Sequence, residues 1–342
     1  MQNSKPKVAI VIPQWNTVDI ISFCVDAALK QSVECRVIVV ENGSTDGSAE
    51  FLRNKYGNRI ELIDNAVNLG FAGGVNTGIR WAMKNGYDYV ALLNSDAKAT
   101  VNWLEELLKE AGHNVGMVTS KILRSDKQHI DTTGDQFTAW GISTPRGRDE
   151  LDKGQYDSAG PVFAACGGAT LYLLRMFNDI GLFDEDFFAY YEDTDISFRA
   201  RNYGWDITYN PKAVVYHEVG TTSSKVSGFS IKMGIKNQPW VILKNVPLRY
   251  LFPVVFKFSF LWVGNIIHAF KNDAASSAVR GSVKSLVLMP KKFGQRVRIQ
   301  HIRRKRGIKS KTLYDMWISD LPDSLQGYNT VRIAKKIMFW SK

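Results

Sequence analysis

Five short apolar runs, Val8–Ile12, Val37–Val40, Ile60–Ile63, Tyr89–Leu93 and Val115–Val118, predict strands. Between them lie stretches with helical spacing: Val18–Lys30 (Ile20, Ile21, Cys24, Ala28), Gly47–Tyr56, about Gly74–Asn85 and Trp103–Ala111. Strand–helix alternation at these lengths predicts an α/β fold with a mostly parallel central sheet flanked by helices. Runs such as Tyr-Val-Ala-Leu-Leu are apolar throughout, as strands covered on both faces require.

The polar residues at the strand ends carry the chemistry. They are Pro13-Gln14-Trp15-Asn16, Glu41-Asn42-Gly43-Ser44-Thr45-Asp46, Asn68-Leu69-Gly70-Phe71-Ala72-Gly73-Gly74-Val75-Asn76 and Asn94-Ser95-Asp96. In a parallel sheet all four fall on the edge where open α/β folds bind ligands. Trp15 offers a face to a base, and Glu41 an acceptor for its N–H. Gly70, Gly73 and Gly74 are expected to let backbone amides approach an anion at a helix start. Asp96 reads either as an oxygen ligand for a divalent cation or as a cap for the helix beginning near Thr100. The glycine spacings match neither a dinucleotide fingerprint nor a phosphate-binding P-loop.

Residues 121–165 read as a loop-rich, charged flap, resuming an apolar strand at Val162–Ala165 that Cys166-Gly167-Gly168 breaks before Thr170–Leu174. Glycines there let an acceptor lie close to the backbone. From Phe183 to Asp195 six carboxylates interleave with five aromatics ahead of a helix predicted over Ile196–Tyr203. Glu192, Asp193 and Asp195 suit a helix N-terminus, and one of them suits a general base. His217 closes a further strand, Val214–Tyr216, as a capping residue or a metal ligand.

Three cysteines at unrelated spacings make neither a disulfide framework nor a zinc site and suit a reducing cytosol. The N-terminus shows no apolar signal-peptide core. The net charge of +11 is unevenly spread. Residues 1–230 hold 22 Lys+Arg against 29 Asp+Glu, whereas residues 231–342 hold 22 against 4. A chain with an acidic front and a strongly basic back has two jobs, or one job done at an anionic surface.

Together these motifs, with Gly147-Arg148, Gly154-Gln155-Tyr156-Asp157 and Tyr190-Tyr191-Glu192-Asp193-Thr194-Asp195, resemble inverting glycosyltransferase family two over roughly residues 7–225, and within it the bacterial rhamnosyltransferase-like branch. The resemblance implies a GT-A fold and a set of roles. Pro13, Trp15, Asn16, Glu41 and Asn42 would line the nucleotide; Asn68, Gly70, Phe71, Asn76 and Asn94 would border the donor sugar and diphosphate. Cys166, Gly167 and Gly168 would meet the acceptor, Asp193 with Glu192 beside it would supply the base, and Asp96 and His217 would hold Mg²⁺ or Mn²⁺. Two positions depart from the family pattern. Asn94 stands where the first carboxylate of the D-x-D motif is usual, and Glu41 where Asp is common.

The expected organisation is a catalytic domain over 1–230 (donor half to about 120, acceptor half to 230) and a basic, mainly helical region over 231–342. Leu251–Phe270 is apolar but interrupted by Pro253, Lys257, Asn265 and His268, which suits a helix lying in a membrane surface better than a span. The polybasic tract from Lys291 to Arg306 is drawn to anionic headgroups, and no nucleic-acid motif accompanies it. The expected partners are a nucleotide-sugar donor, a lipid-linked saccharide acceptor and an anionic membrane, with no nucleic acid; a homo-oligomer is compatible with all of this. The best-matching donor is dTDP-L-rhamnose. The alternatives are a UDP-hexose, UDP-galactofuranose, or a non-catalytic polybasic scaffold.

Overall fold

A computed structural model describes residues 5–218 and 227–321, together with Val331, Arg332 and Lys335. The strands are β1 Val8–Gln14, β2 Arg36–Asn42, β3 Glu61–Asn65, β4 Tyr89–Leu93, β5 Ala97–Ala99, β6 Val115–Arg124, β7 Ile130–Thr132, β8 Asp135–Phe137, β9 Ser143–Pro145, β10 Gly160–Pro161, β11 Ala169–Leu173 and β12 Asp206–His217. The helices are α1 Ile21–Ala28, α2 Ser48–Tyr56, α3 Gly70–Lys84, α4 Trp103–Lys109, α5 Leu174–Ile180, α6 Glu192–Asn202, α7 Phe229–Asn245, α8 Leu248–Lys271, α9 Ala275–Lys305 and α10 Ser310–Tyr314.

One sheet runs in the order β10-β12-β6-β11-β4-β1-β2-β3, with β5 added to β12 and β7 to β6. Strands β3, β2, β1 and β4 are mutually parallel, so their carboxyl ends share one edge as the apolar pattern predicts. Strand β11 enters antiparallel between β4 and β6. That insertion sets the Cys166–Gly168 turn beside the end of β4. The core is the interior of β1, β2, β4 and β11 packed on α1 and α4, with Ile10, Ile12, Val39, Ala91 and Trp103 fully buried.

Several boundaries differ from the sequence expectation. Helix α3 starts at Gly70, so Gly73 and Gly74 lie inside it rather than in an anion-binding loop. A Cβ on Gly78 would stand 2.5 Å from Val11 Cγ1, so small residues here let α3 lie close on β1. Residues 162–165 form no strand; only Gly160–Pro161 pairs, with Ala164 bridging to Asp135. The 121–165 segment is not a loose flap. It contains β7 to β10, and Lys121 clamps it by ion pairs to Asp152 (2.9 Å) and Asp157. Arg146 lies between the rings of Tyr156 and Tyr209, 5.2 and 4.9 Å from their centroids. Helix α6 begins at Glu192, which puts the acidic run in its first turn instead of ahead of it.

The chain divides into two compact units, where a single cut near residue 230 was expected. Unit one comprises Met1–Asp135, Pro145–Arg201 and Trp205–Thr222; unit two comprises Gln136–Thr144, Asn202–Gly204 and Ser223–Lys342. In unit two α7 packs on α9 through Trp240, whose indole N–H donates to the Ser285 carbonyl at 3.0 Å, and α8 packs on both helices.

Candidate active site

The first two loops at the strand edge are laced together. Asn16 N donates to Ser44 Oγ and Thr45 N to Asn16 Oδ1, both at 2.8 Å, while Asn16 itself adopts a left-handed φ of 52°. Pro13, Trp15 and Asn16 keep accessible surface there. Glu41 is buried; it accepts from Ser44 N at 2.7 Å and from the Gln14 amide. Burial raises its carboxyl pKa. Its first role is thus to bind loops together, a correction to the expectation of a side chain open to a base.

Asn42 is likewise a strut. Its amide donates to Gly70 O (3.0 Å) and Asn68 Oδ1 (3.2 Å), and its oxygen accepts from Leu69 N and Asn65 Nδ2, both at 3.1 Å. Asn68 in turn caps α3 by accepting from Gly70 N at 2.8 Å. Gly70, at φ 72°, has no room for a side chain against Phe188. Asn76 is buried and spends its amide on Phe183 O and Glu185 Oε1, both at 2.9 Å. It anchors the 183–185 turn, so its amide is already committed within the protein.

At the end of β4, Asn94 and Asp96 meet His217. The cause is β5, which pairs antiparallel with the end of β12 and sets Ala97 opposite His217. His217 Nε2 lies 3.1 Å from Asp96 Oδ1 and 3.4 Å from the Asn94 amide. Its Nδ1 lies 3.0 Å from Asp131 Oδ2, and Arg148 covers the other Asp131 oxygen at 3.2 Å. Burial disfavours charge on the ring, but bonds and charge from Asp131 and Asp96 outweigh it and lift the His217 pKa to about 9. Burial opposes charge on Asp131 too, yet His217 and Arg148 leave its pKa lowered.

Among the described residues no group of three or more His, Cys, Asp or Glu converges on a metal seat. Asp96 and His217 together fit two positions of a coordination sphere, and the remaining oxygens must come from a ligand or water. The residues would therefore fit a cation that takes its other ligands from outside the protein, not a self-sufficient protein cage.

Asp193 sits across the Cys166–Gly168 turn. Gly167 N donates to Asp193 Oδ2 at 3.2 Å, and Thr194 N to Oδ1 at 2.7 Å. On the other side, Gly168 O accepts from Asn94 N at 2.9 Å. A Cβ on Gly167 would stand 3.3 Å from both Asp193 Cβ and the Phe71 ring; on Gly168 it would stand 3.1 Å from the Asn94 amide. The two glycines therefore join the Asn94–Asp96 edge to Asp193 with Phe71 alongside. Burial raises the Asp193 pKa, partly offset by the backbone bonds it accepts. Asp193 keeps accessible surface, whereas its neighbour Glu192 is buried, so of the two only Asp193 can meet a ligand directly. Cys166 is a free thiol whose pKa burial pushes well up, so it is no nucleophile.

Residues 9–181 match the glycosyl transferase family 2. The chain belongs to that family. It is 24% identical over 200 residues to the dTDP-rhamnosyl transferase RfbF of Shigella flexneri, covering 58% of this chain and 64% of that protein. It is 26% identical over 210 residues to the N-acetylglucosaminyl-diphospho-decaprenol L-rhamnosyltransferase of Mycobacterium tuberculosis, covering 53% and 66%. A 36% identity to the Pasteurella multocida hyaluronan synthase spans 110 residues, 32% of this chain and only 11% of that protein. The chain thus spans less than two thirds of the length of these relatives. Among solved structures, the Pyrobaculum calidifontis mannosyltransferase PcManGT with GDP-Man and Mn²⁺ aligns with a TM-score of 0.53 at 14% identity, over 90% of this chain and 88% of that one. GalNAc-T7 with UDP, GalNAc and Mn²⁺ aligns at 0.63 and 12%, over 91% and 56%. The fold is the GT-A fold of a family 2 glycosyltransferase.

Three residues of the site escape sequence reading. Asp131 and Asp135 lie in short strands of the segment that reads as loop, and Gln14 reads as an ordinary strand-end polar residue. Asp135 is buried, accepts from Thr132 Oγ1 at 2.9 Å, and has its pKa raised to about 7 by burial and by the Asp193 charge. A signal was present: Asp131-Thr132-Thr133-Gly134-Asp135 puts two carboxylates four residues apart around a glycine.

Proposed function

We propose that this glycosyltransferase moves a sugar, with inversion, from a nucleoside-diphosphate donor to a hydroxyl of a lipid-linked saccharide, in cell-surface polysaccharide synthesis. The donor assigned is dTDP-L-rhamnose. The observation that carries the mechanism is the Cys166–Gly168 turn, which hydrogen-bonds to Asp193 on one side and Asn94 on the other. A base and a diphosphate seat flanking one short stretch of backbone suit a single displacement. Pro13, Trp15 and Asn16 hold the nucleotide, and Phe71 walls the sugar. Asp193 takes the proton of the acceptor hydroxyl as that oxygen bonds to the anomeric carbon and the carbon–diphosphate bond breaks on the opposite face. Asp96 and His217 would hold Mg²⁺ or Mn²⁺, which when bound neutralises charge on the departing diphosphate. Gly167 N–H keeps Asp193 aimed, and its two backbone donors keep a basic, ionised form accessible despite burial.

The rhamnosyl assignment draws on the two rhamnosyltransferase relatives, one of them acting by its name on a diphospho-decaprenol glycan. A lipid-linked acceptor places the enzyme peripherally on the cytoplasmic face of the membrane, with the 231–342 region toward anionic lipid. A donor panel scored by nucleoside diphosphate release tests the assignment. Turnover with dTDP-rhamnose is expected; release only from UDP-hexoses or UDP-galactofuranose overturns the sugar, and release from no donor favours a non-catalytic scaffold.

A further inference from the structure

Helix α9 is the polybasic element, with nine Lys or Arg and no acid in its 31 residues. Its packing face holds Ala278, Gly281, Ser285 and Ile299 together with the buried Lys292, Arg296, Gln300 and Arg303. At 100° per residue these fall in an arc of about 100°. On the opposite side Val279, Val283, Leu286, Val287, Phe293 and Val297 are exposed, Val287 by 69%. They fall in an arc of about 120°, and the exposed Arg280, Lys284, Lys291 and Arg298 line up within about 40° along one edge of it.

Helix α8 repeats the arrangement. Val254, Phe258, Leu261, Gly264 and Ala269 are buried in the unit, while Phe252, Val255, Phe256, Val263, Ile267 and Phe270 face outward, Phe252 by 80%. Ser259, the one hydroxyl within that stripe, donates to Phe256 O at 2.7 Å and so needs no water. Three residues join the two helices, and Ala269, Ala274 and Ala278 pack together at the junction.

We infer that α8 and α9 form a lipid-facing pair, with the α9 stripe sunk into the acyl–headgroup boundary of an anionic leaflet and its edge cations on the headgroups. This deepens the peripheral-membrane reading above and rests on it for which leaflet is met. A solvated basic helix accounts for the cations but leaves the stripe in water. A second copy of the chain would cover the stripe but would set two rows of like charge against each other. An anionic bilayer meets both features. Among the described residues helix α8 alone is long and apolar enough to cross a membrane, but its inner face is committed to the unit, and α9 beside it carries nine cations. Both helices therefore lie in the interface.

The test is flotation of the full chain with vesicles of phosphatidylcholine, with and without phosphatidylglycerol, alongside the variant Val283→Asp/Leu286→Asp/Val287→Asp. These positions are exposed, so the fold is expected to persist, as a circular dichroism melt will register. Wild type should float with anionic vesicles, and the triple variant should bind them at least about tenfold more weakly. Arg280→Glu/Lys284→Glu/Arg298→Glu should lose the preference for phosphatidylglycerol. Equal flotation of wild type and the apolar variant overturns the inference, as does a variant that only converts a dimer to a monomer by light scattering. Nucleoside diphosphate release by the same samples reports on the catalytic reading separately, because none of these residues belongs to the active site.

Discussion

His217 is held from both sides, by Asp96 at 3.1 Å and by Asp131 at 3.0 Å. Asp131 orients the ring: it holds Nδ1–H, so that when a cation displaces the Nε2 proton, Nε2 is the nitrogen left to face it beside Asp96. Asp131→Asn keeps the size but loses the charge, so Mn²⁺ affinity measured by calorimetry with a nucleoside diphosphate present should fall about 10-fold to 100-fold. Unchanged affinity would show that something else orients the ring. Asp135 gives a pH prediction with a definite sign. Its folded pKa of about 7 exceeds the ordinary 3.8, so the folded chain keeps a proton that the unfolded chain has released. That stabilisation is complete below the unfolded value and is lost as pH rises through about 7. Asp135→Asn, neutral throughout, should flatten the decline of unfolding free energy between about pH 4 and 7. Parallel curves for the two proteins would contradict the assignment. Asp131 and Asp135 were not legible because their importance comes from burial beside His217 and Asp193, partners distant in sequence.

Strands β1, β2 and β4 were legible as near-continuous apolar runs, and edge strand β3 from Leu62-Ile63 between polar residues; their shared edge followed from parallel pairing. Strand β5 was not: three residues, Ala97-Lys98-Ala99, carry no periodicity, yet their pairing with β12 delivers His217 to Asp96. The glycines of α3 were legible as glycines but not in purpose, since only the packed structure shows Val11 under Gly78. Gly78→Ala should force α3 off β1 and cost about 1–3 kcal/mol in urea unfolding. Gly294→Ala in α9, where an added Cβ meets nothing within 4 Å, should instead stabilise by about 0.5–1 kcal/mol. The same sign for both would mean that close packing does not govern α3.

At the scale of the molecule, the acidic front and basic back read directly from the chain, and so did the family, because its motifs sit at strand ends in the right order. The sugar did not, since base and sugar contacts depend on side-chain directions that spacing leaves open. Glu41, Asn42 and Asn76 illustrate this, each turned inward to brace a loop. The central claim is that Asp193 is the base of a glycosyl transfer. The most direct measurement is the single-turnover rate of Asp193→Asn with dTDP-rhamnose and a lipid-linked acceptor, alongside donor affinity. Loss of the base should lower the rate about 10²–10⁴-fold with donor affinity nearly unchanged; transfer at the wild-type rate would contradict the role of Asp193.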